Sequence, residues 1–116
     1  MNRDLTKAQR RRLLELGRMA YLRDLSDALA KLEAEFKRWR NGEIDAFGLT
    51  EAIHRFHQGP SRELFSRYQH SNLDFAVAHA IHRGVLSGEE AGPDAMGFLG
   101  RHLAFLREQD TGPPGD

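Results

Sequence analysis

From Thr6 to Arg40 the chain runs without a proline, and its apolar residues recur at Leu14, Tyr21, Leu25, Ala28, Leu32, Phe36 and Trp39. Leu22 and Leu29 stand beside them. Intervals of three, four and seven place such residues along one side of an α-helix, whereas a strand would alternate every second residue. Thr6 followed by Gln9 has the form of a capping box, in which each side chain satisfies a backbone donor at the helix start. Asp27 with Lys31, and Glu33 with Lys37, add acid-before-base pairs four residues apart. A helix over 6–40 would extend roughly 50 Å at 1.5 Å per residue. A chain of 116 residues does not need so long an element. The helix therefore either breaks near Gly17 or carries an overhang that packs on a second copy.

Glycine and proline then divide the remainder into short helices. Asn41-Gly42 ends the long helix, because both residues tolerate the left-handed conformation of a C-terminal cap. Asp45 caps a second helix over 46–57 bearing Leu49, Ala52, Ile53 and Phe56, and Gly59-Pro60-Ser61 ends it. A short third helix carries Leu64, Phe65 and Tyr68, and Ser71-Asn72 opens a fourth over 73–83, stopped by Gly84. Ser87 with Glu90 is a second capping box, cut to a single turn by Gly92-Pro93. A final helix over 94–108 shows Met96, Leu99, Leu103 and Leu106 as one stripe. No segment alternates with period two. The expectation is an all-α fold: a bundle of about five helices with a long N-terminal helix (about 6–40) and a central helix-turn-helix hairpin. Residues 1–110 read as a single domain and 111–116 as a disordered polar tail.

Net charge is zero, which argues against a general attraction to nucleic acid or to anionic membrane. The zero hides a split, since 1–40 carries eleven Lys/Arg against six Asp/Glu and the rest carries six against eleven. The chain has no cysteine, which removes disulfides, thiolate metal sites and cysteine nucleophiles. With no signal-like apolar start and no long apolar run, a cytoplasmic location without membrane contact is expected.

Two site readings fail at particular residues. Asn41 to Glu51 is similar to the latter half of an EF-hand, but the register that aligns Gly42 with the loop glycine puts Lys37, Trp39 and Asn41 at the first three ligand positions. It also puts Gly48 at the last, where a bidentate carboxylate belongs. The second helix, Gly59-Pro60 and the third helix suggest a DNA-binding helix-turn-helix. His54 and Arg55 occupy the place of its small packing residue, and Pro60 stiffens its turn. Of Ser61, Ser66, Ser71 and Ser87, three read as helix caps, and none lies in a strained nucleophile turn.

Histidines are the unusual feature. Five of the six, His54, His57, His70, His79 and His82, fall between 54 and 82, and two pairs are three apart. Glu51 precedes His54 by three, giving the Glu-x-x-His form found in metal-binding bundles. At 100° per residue, His54 lies roughly 140° from Leu49 and His82 roughly 180° from Leu73, outward on their helices. The bland reading is surface or boundary histidines. The sharper one is a zinc or iron site built from Glu51, His54, His57, His79 and His82. No catalytic constellation and no cofactor motif is legible. The function read from the sequence is a non-enzymatic interaction or regulatory module that self-associates as a homodimer through its long helix. The alternatives are that metal site, or nucleic-acid binding through the basic stretch from Lys7 to Arg23.

Overall fold

The computed structural model describes residues 5–111. The chain is all-α, with no strand among the described residues. The elements are α1 (Lys7–Arg40), α2 (Ala46–Phe56), α3 (Arg62–Arg67), α4 (Leu73–His82), α5 (Gly88–Ala91), α6 (Pro93–Phe98) and α7 (Gly100–Thr111). A π-helical turn, His57–Ser61, joins α2 to α3, and a 3-10 turn, His70–Asn72, leads into α4. The expected tail falls at 112–116, outside the described residues.

Helix ends follow the cap chemistry. Thr6 N–H donates to Gln9 Oε1 and Gln9 N–H donates to Thr6 Oγ1, each at 3.0 Å, so the box at the head of α1 is closed. At its tail Gly42 has φ +77°, with its N–H on Trp39 O and the Glu43 N–H on Arg38 O. That is the paired bonding of a Schellman cap, and it repeats after α4 at Gly84, φ +83°, through Ile81 O and Ala80 O. Asp45 accepts from Gly48 N–H at 2.9 Å to start α2. Ser87 and Glu90 form the expected reciprocal box at α5.

α1 is continuous through Gly17. A Cβ at Gly17 would lie 2.6 Å from Leu73 Cδ1, so the missing side chain lets the start of α4 approach the α1 backbone. This settles the choice left open by the periodicity in favour of an unbroken helix. Two other boundaries differ from expectation. Gly59-Pro60-Ser61 does not end the helix; Phe56, His57 and Arg62 all keep right-handed helical dihedrals across it. Proline lacks the N–H and crowds the preceding carbonyl in an α-turn, and the wider π-turn accommodates it. The expected helix over 94–108 is two, parted at Leu99, whose N–H reaches both Ala95 O and Gly97 O.

The chain divides into two compact units, one from Tyr21 to Arg67 and one holding the residues up to Ala20 with those from Tyr68 onward. In the latter, Leu13, Leu16 and Ala20 of α1 are buried with Leu73, Ala76, Val77 and Ala80 of α4. Leu86, Ala91, Ala95, Leu99, Leu103 and Leu106 complete that core. The stripe expected on α1 therefore turns. Leu13 and Leu16 go inside, while Leu14 stays 48% exposed. Gln9 Nε2 donates to Asp94 Oδ1 at 3.1 Å and Arg12 Nη2 to Glu90 O at 2.6 Å, tying α1 to α5 and α6.

In the unit from Tyr21 to Arg67, Leu49, Ala52 and Leu64 are the buried apolar residues, and none of them is fully enclosed. Asp24 of α1 is buried as well, and Arg67 of α3 meets it at 3.5 Å. A buried carboxylate needs such a partner.

Candidate functional site

The second half of α1 presents the most conspicuous surface. Leu22, Leu29 and Phe36 are seven apart, as are Leu25, Leu32 and Trp39, so together they occupy the a and d positions of consecutive heptads. Leu25 and Leu32 are half-buried. Leu22, Leu29, Phe36 and Trp39 face solvent, with 36% of Phe36 and 50% of Leu22 exposed. α2 and α3 add Phe47, Ile53 and Phe65, which are also exposed. Of the ten large apolar side chains left exposed among the described residues, these seven belong to the unit from Tyr21 to Arg67. Among the described residues of the other unit these are Leu14, Phe75 and Phe105. Of the stripe expected along α1, Tyr21 is half-buried and Phe36 and Trp39 are exposed within a single chain.

The histidines fall into separate settings. His54 and His57 are exposed, and Glu51 lies 3.8 Å from Arg55, an ion pair along α2. His70 is exposed at the head of the 3-10 turn. His79 stacks on Phe75 with ring centroids 6.1 Å apart, and its Nδ1 accepts from Arg83 Nε at 3.3 Å. His82 Nε2 meets Asp110 at 2.8 Å. Among the described residues no group of three His, Asp or Glu side chains is placed to hold a metal ion.

His102, passed over in the sequence, completes the α4–α7 face. Its Nε2 lies 3.3 Å from Asp74 Oδ2, and its ring meets Phe75 edge-on. Asp74 to His102 and His82 to Asp110 are both separated by 28 residues along the chain. A constant separation means that α4 and α7 run in the same direction, with α5 and α6 as the crossover. Phe75 and Phe105, with centroids 6.5 Å apart, fill the space between the two clasps. The pairing explains the outward Phe75: α4 is covered by α1 at Leu73 and by α7 on this other side. Of the clasp side chains Asp110 is the most exposed, at 69%, and Phe75 and Phe105 between them stay partly open to solvent. His102 was legible only through that spacing, which pairs it with Asp74 once α7 is known to lie parallel.

The basic stretch from Lys7 to Arg23 is drawn partly into the fold. Arg12 donates to Glu90 O and pairs with Glu15 at 3.1 Å, one and two residues after Arg11 and Arg10 on α1. No helix among the described residues is long and apolar enough to cross a membrane. Comparisons with protein-family models, with curated proteins and with solved structures return no match.

Proposed function

We propose that this chain is a non-enzymatic interaction module that self-associates through the second half of α1. The observation that supports the reading is the concentration of seven exposed large apolar side chains in the unit from Tyr21 to Arg67. Four of them, Leu22, Leu29, Phe36 and Trp39, lie on a heptad repeat. A contiguous apolar patch on a helix surface is the ordinary mark of an interface. A heptad seam is specifically suited to another helix, whose side chains fill the holes between a and d residues. A second copy supplies the same seam without requiring any other partner, and two-fold pairing is the commonest form of self-association.

Sedimentation velocity across a concentration series tests this. The expected outcome is a dimer at tens of micromolar that becomes monomeric in Leu29→Glu, because a carboxylate at the seam centre is stranded in an apolar layer. Circular dichroism should show the helix content of that variant retained, since Leu29 is 46% exposed in the single chain. A wild-type protein that stays monomeric at high micromolar concentration removes the proposal.

A further inference from the structure

The turn between α1 and α2 holds a reactive pair that the proposed interface does not use. Asn41 and Gly42 are adjacent in the chain and both exposed. The Asn41 side chain is held loosely, its Nδ2 donating to Glu43 Oε2 at 3.5 Å. Gly42 carries no side chain to shield its nitrogen, and even an added Cβ would meet nothing within 4 Å. The pair is therefore open to water and hydroxide. Asn72, the other asparagine among the described residues, has a different neighbour. It precedes Leu73, whose N–H donates to His70 O and whose side chain is buried against the α1 backbone at Gly17.

We propose that Asn41 is a self-modification site, where the side-chain amide becomes a carboxylate through a cyclic imide formed with Gly42. The Gly42 nitrogen gives its proton to hydroxide and bonds to Asn41 Cγ. The Cγ–Nδ2 bond breaks, and the amide nitrogen leaves as ammonia with a proton taken from water. A second water opens the imide. Attack at Cγ yields aspartate, and attack at the main-chain carbonyl yields isoaspartate, whose backbone runs through the side chain. The α1 cap controls the first step, because the proton that Gly42 must lose is the one it donates to Trp39 O. Ring closure therefore waits for the cap to open, and helix ends open most readily. The product does not rebuild the cap. A carboxylate at the C-terminal end of a helix opposes the helix dipole, and this one lies beside Glu43. Isoaspartate also inserts a carbon into the backbone before Gly42, so the bonds to Trp39 O and Arg38 O lose their alignment. The change is irreversible, and the converted fraction grows with the age of the chain.

Peptide mapping by mass spectrometry of the full chain, aged in warm and mildly alkaline buffer, tests the site. The peptide holding Asn41 should gain the mass difference between an amide and an acid and separate into aspartate and isoaspartate forms. The peptide holding Asn72 should stay intact over the same time. In urea the conversion of Asn41 should speed up, because the cap bonds are then already open. The aged chain should melt at a lower temperature than the fresh one by circular dichroism. Asn41→Gln, whose longer side chain closes such a ring poorly, should keep its melting temperature through the same treatment; position 41 is exposed, so this variant retains the fold. Three results overturn the proposal: Asn41 converting no faster than Asn72 in the folded chain, a rate at Asn41 that urea does not raise, or an equal loss of melting temperature in Asn41→Gln.

Discussion

At the level of single residues, Gly17 has the largest structural consequence. In the sequence a glycine within a helical stripe reads as a weak point, and substitution by alanine would ordinarily favour the helix by about 1 kcal/mol. In the fold the sign reverses. A Cβ there would lie 2.6 Å from Leu73 Cδ1 and 3.3 Å from its Cγ, and Leu73 is only 4% exposed. Overpacking of this kind typically costs about 1–3 kcal/mol. Gly17→Ala should therefore lower the unfolding free energy by about 1 kcal/mol net, and Gly17→Leu by more than about 3 kcal/mol, both read from urea denaturation midpoints. A stabilised Gly17→Ala would show that Leu73 is free to rotate away. The sequence could not reveal this, because the requirement is set by a residue 56 positions further along the chain. Gly42 and Gly84 were legible for the opposite reason: their left-handed dihedrals, φ +77° and +83°, are demanded by the local cap alone.

Among the elements, the π-turn between α2 and α3 decides which face α3 presents. Counting 100° per residue, Leu64 would fall roughly 80° beyond Phe56 if the helix continued without interruption. The buried face of α2 is centred near Leu49 and Ala52, so Leu64 would then point well away from it. A π-turn absorbs one residue, which brings Leu64 back to within roughly 20° of Phe56. Leu64 is 7% exposed, as this realignment requires. Deleting Gly59 together with Pro60→Ala should therefore give an unbroken α-helix from 46 onward with Leu64 still inside. The expected measurement is equal or greater ellipticity at 222 nm and no loss of melting temperature, whereas Pro60→Ala without the deletion should retain the π-turn. A deletion variant that fails to fold would assign the turn some role other than register. Glycine and proline had suggested a stop here, since local punctuation carries no information about the register that tertiary packing imposes. The α4–α7 pair shows the same division between local and distant signals. Leu99, Leu103 and Leu106 were legible as a stripe and are buried. The His–Asp clasps were not, because their partners lie 28 residues apart and only the parallel arrangement of the helices joins them. Their energetic weight is also small. Partly exposed polar pairs of this kind contribute about 0–1 kcal/mol each, so the leucines beneath hold α7 in place and the clasps set its register.

For the molecule as a whole, the two units differ in how completely they enclose themselves. Leu16, Ala20, Val77, Ala78, Ala80, Leu86 and Leu99 all have no measurable exposure, and all belong to the unit formed by the two chain ends. The unit from Tyr21 to Arg67 has no residue so enclosed, although it spans the richest apolar repeat in the sequence. Periodicity made that repeat legible and left its destination open, because a heptad stripe looks the same whether its own chain or another covers it. Local unfolding is easiest where few apolar contacts shield the backbone. Self-association would then stabilise this unit by mass action and leave the other nearly unchanged. Hydrogen exchange measured at two concentrations separates the two behaviours. Amides of residues 21–67 should exchange faster when the protein is diluted from about 100 μM to about 1 μM, while those of α4 and α7 should keep their rates. In Leu29→Glu the residues 21–67 should exchange fast at both concentrations. Protection of 21–67 that is equal at both concentrations in the wild-type chain would mean that this unit is stable as a monomer, and that its exposed leucines and aromatics do not hold two copies together.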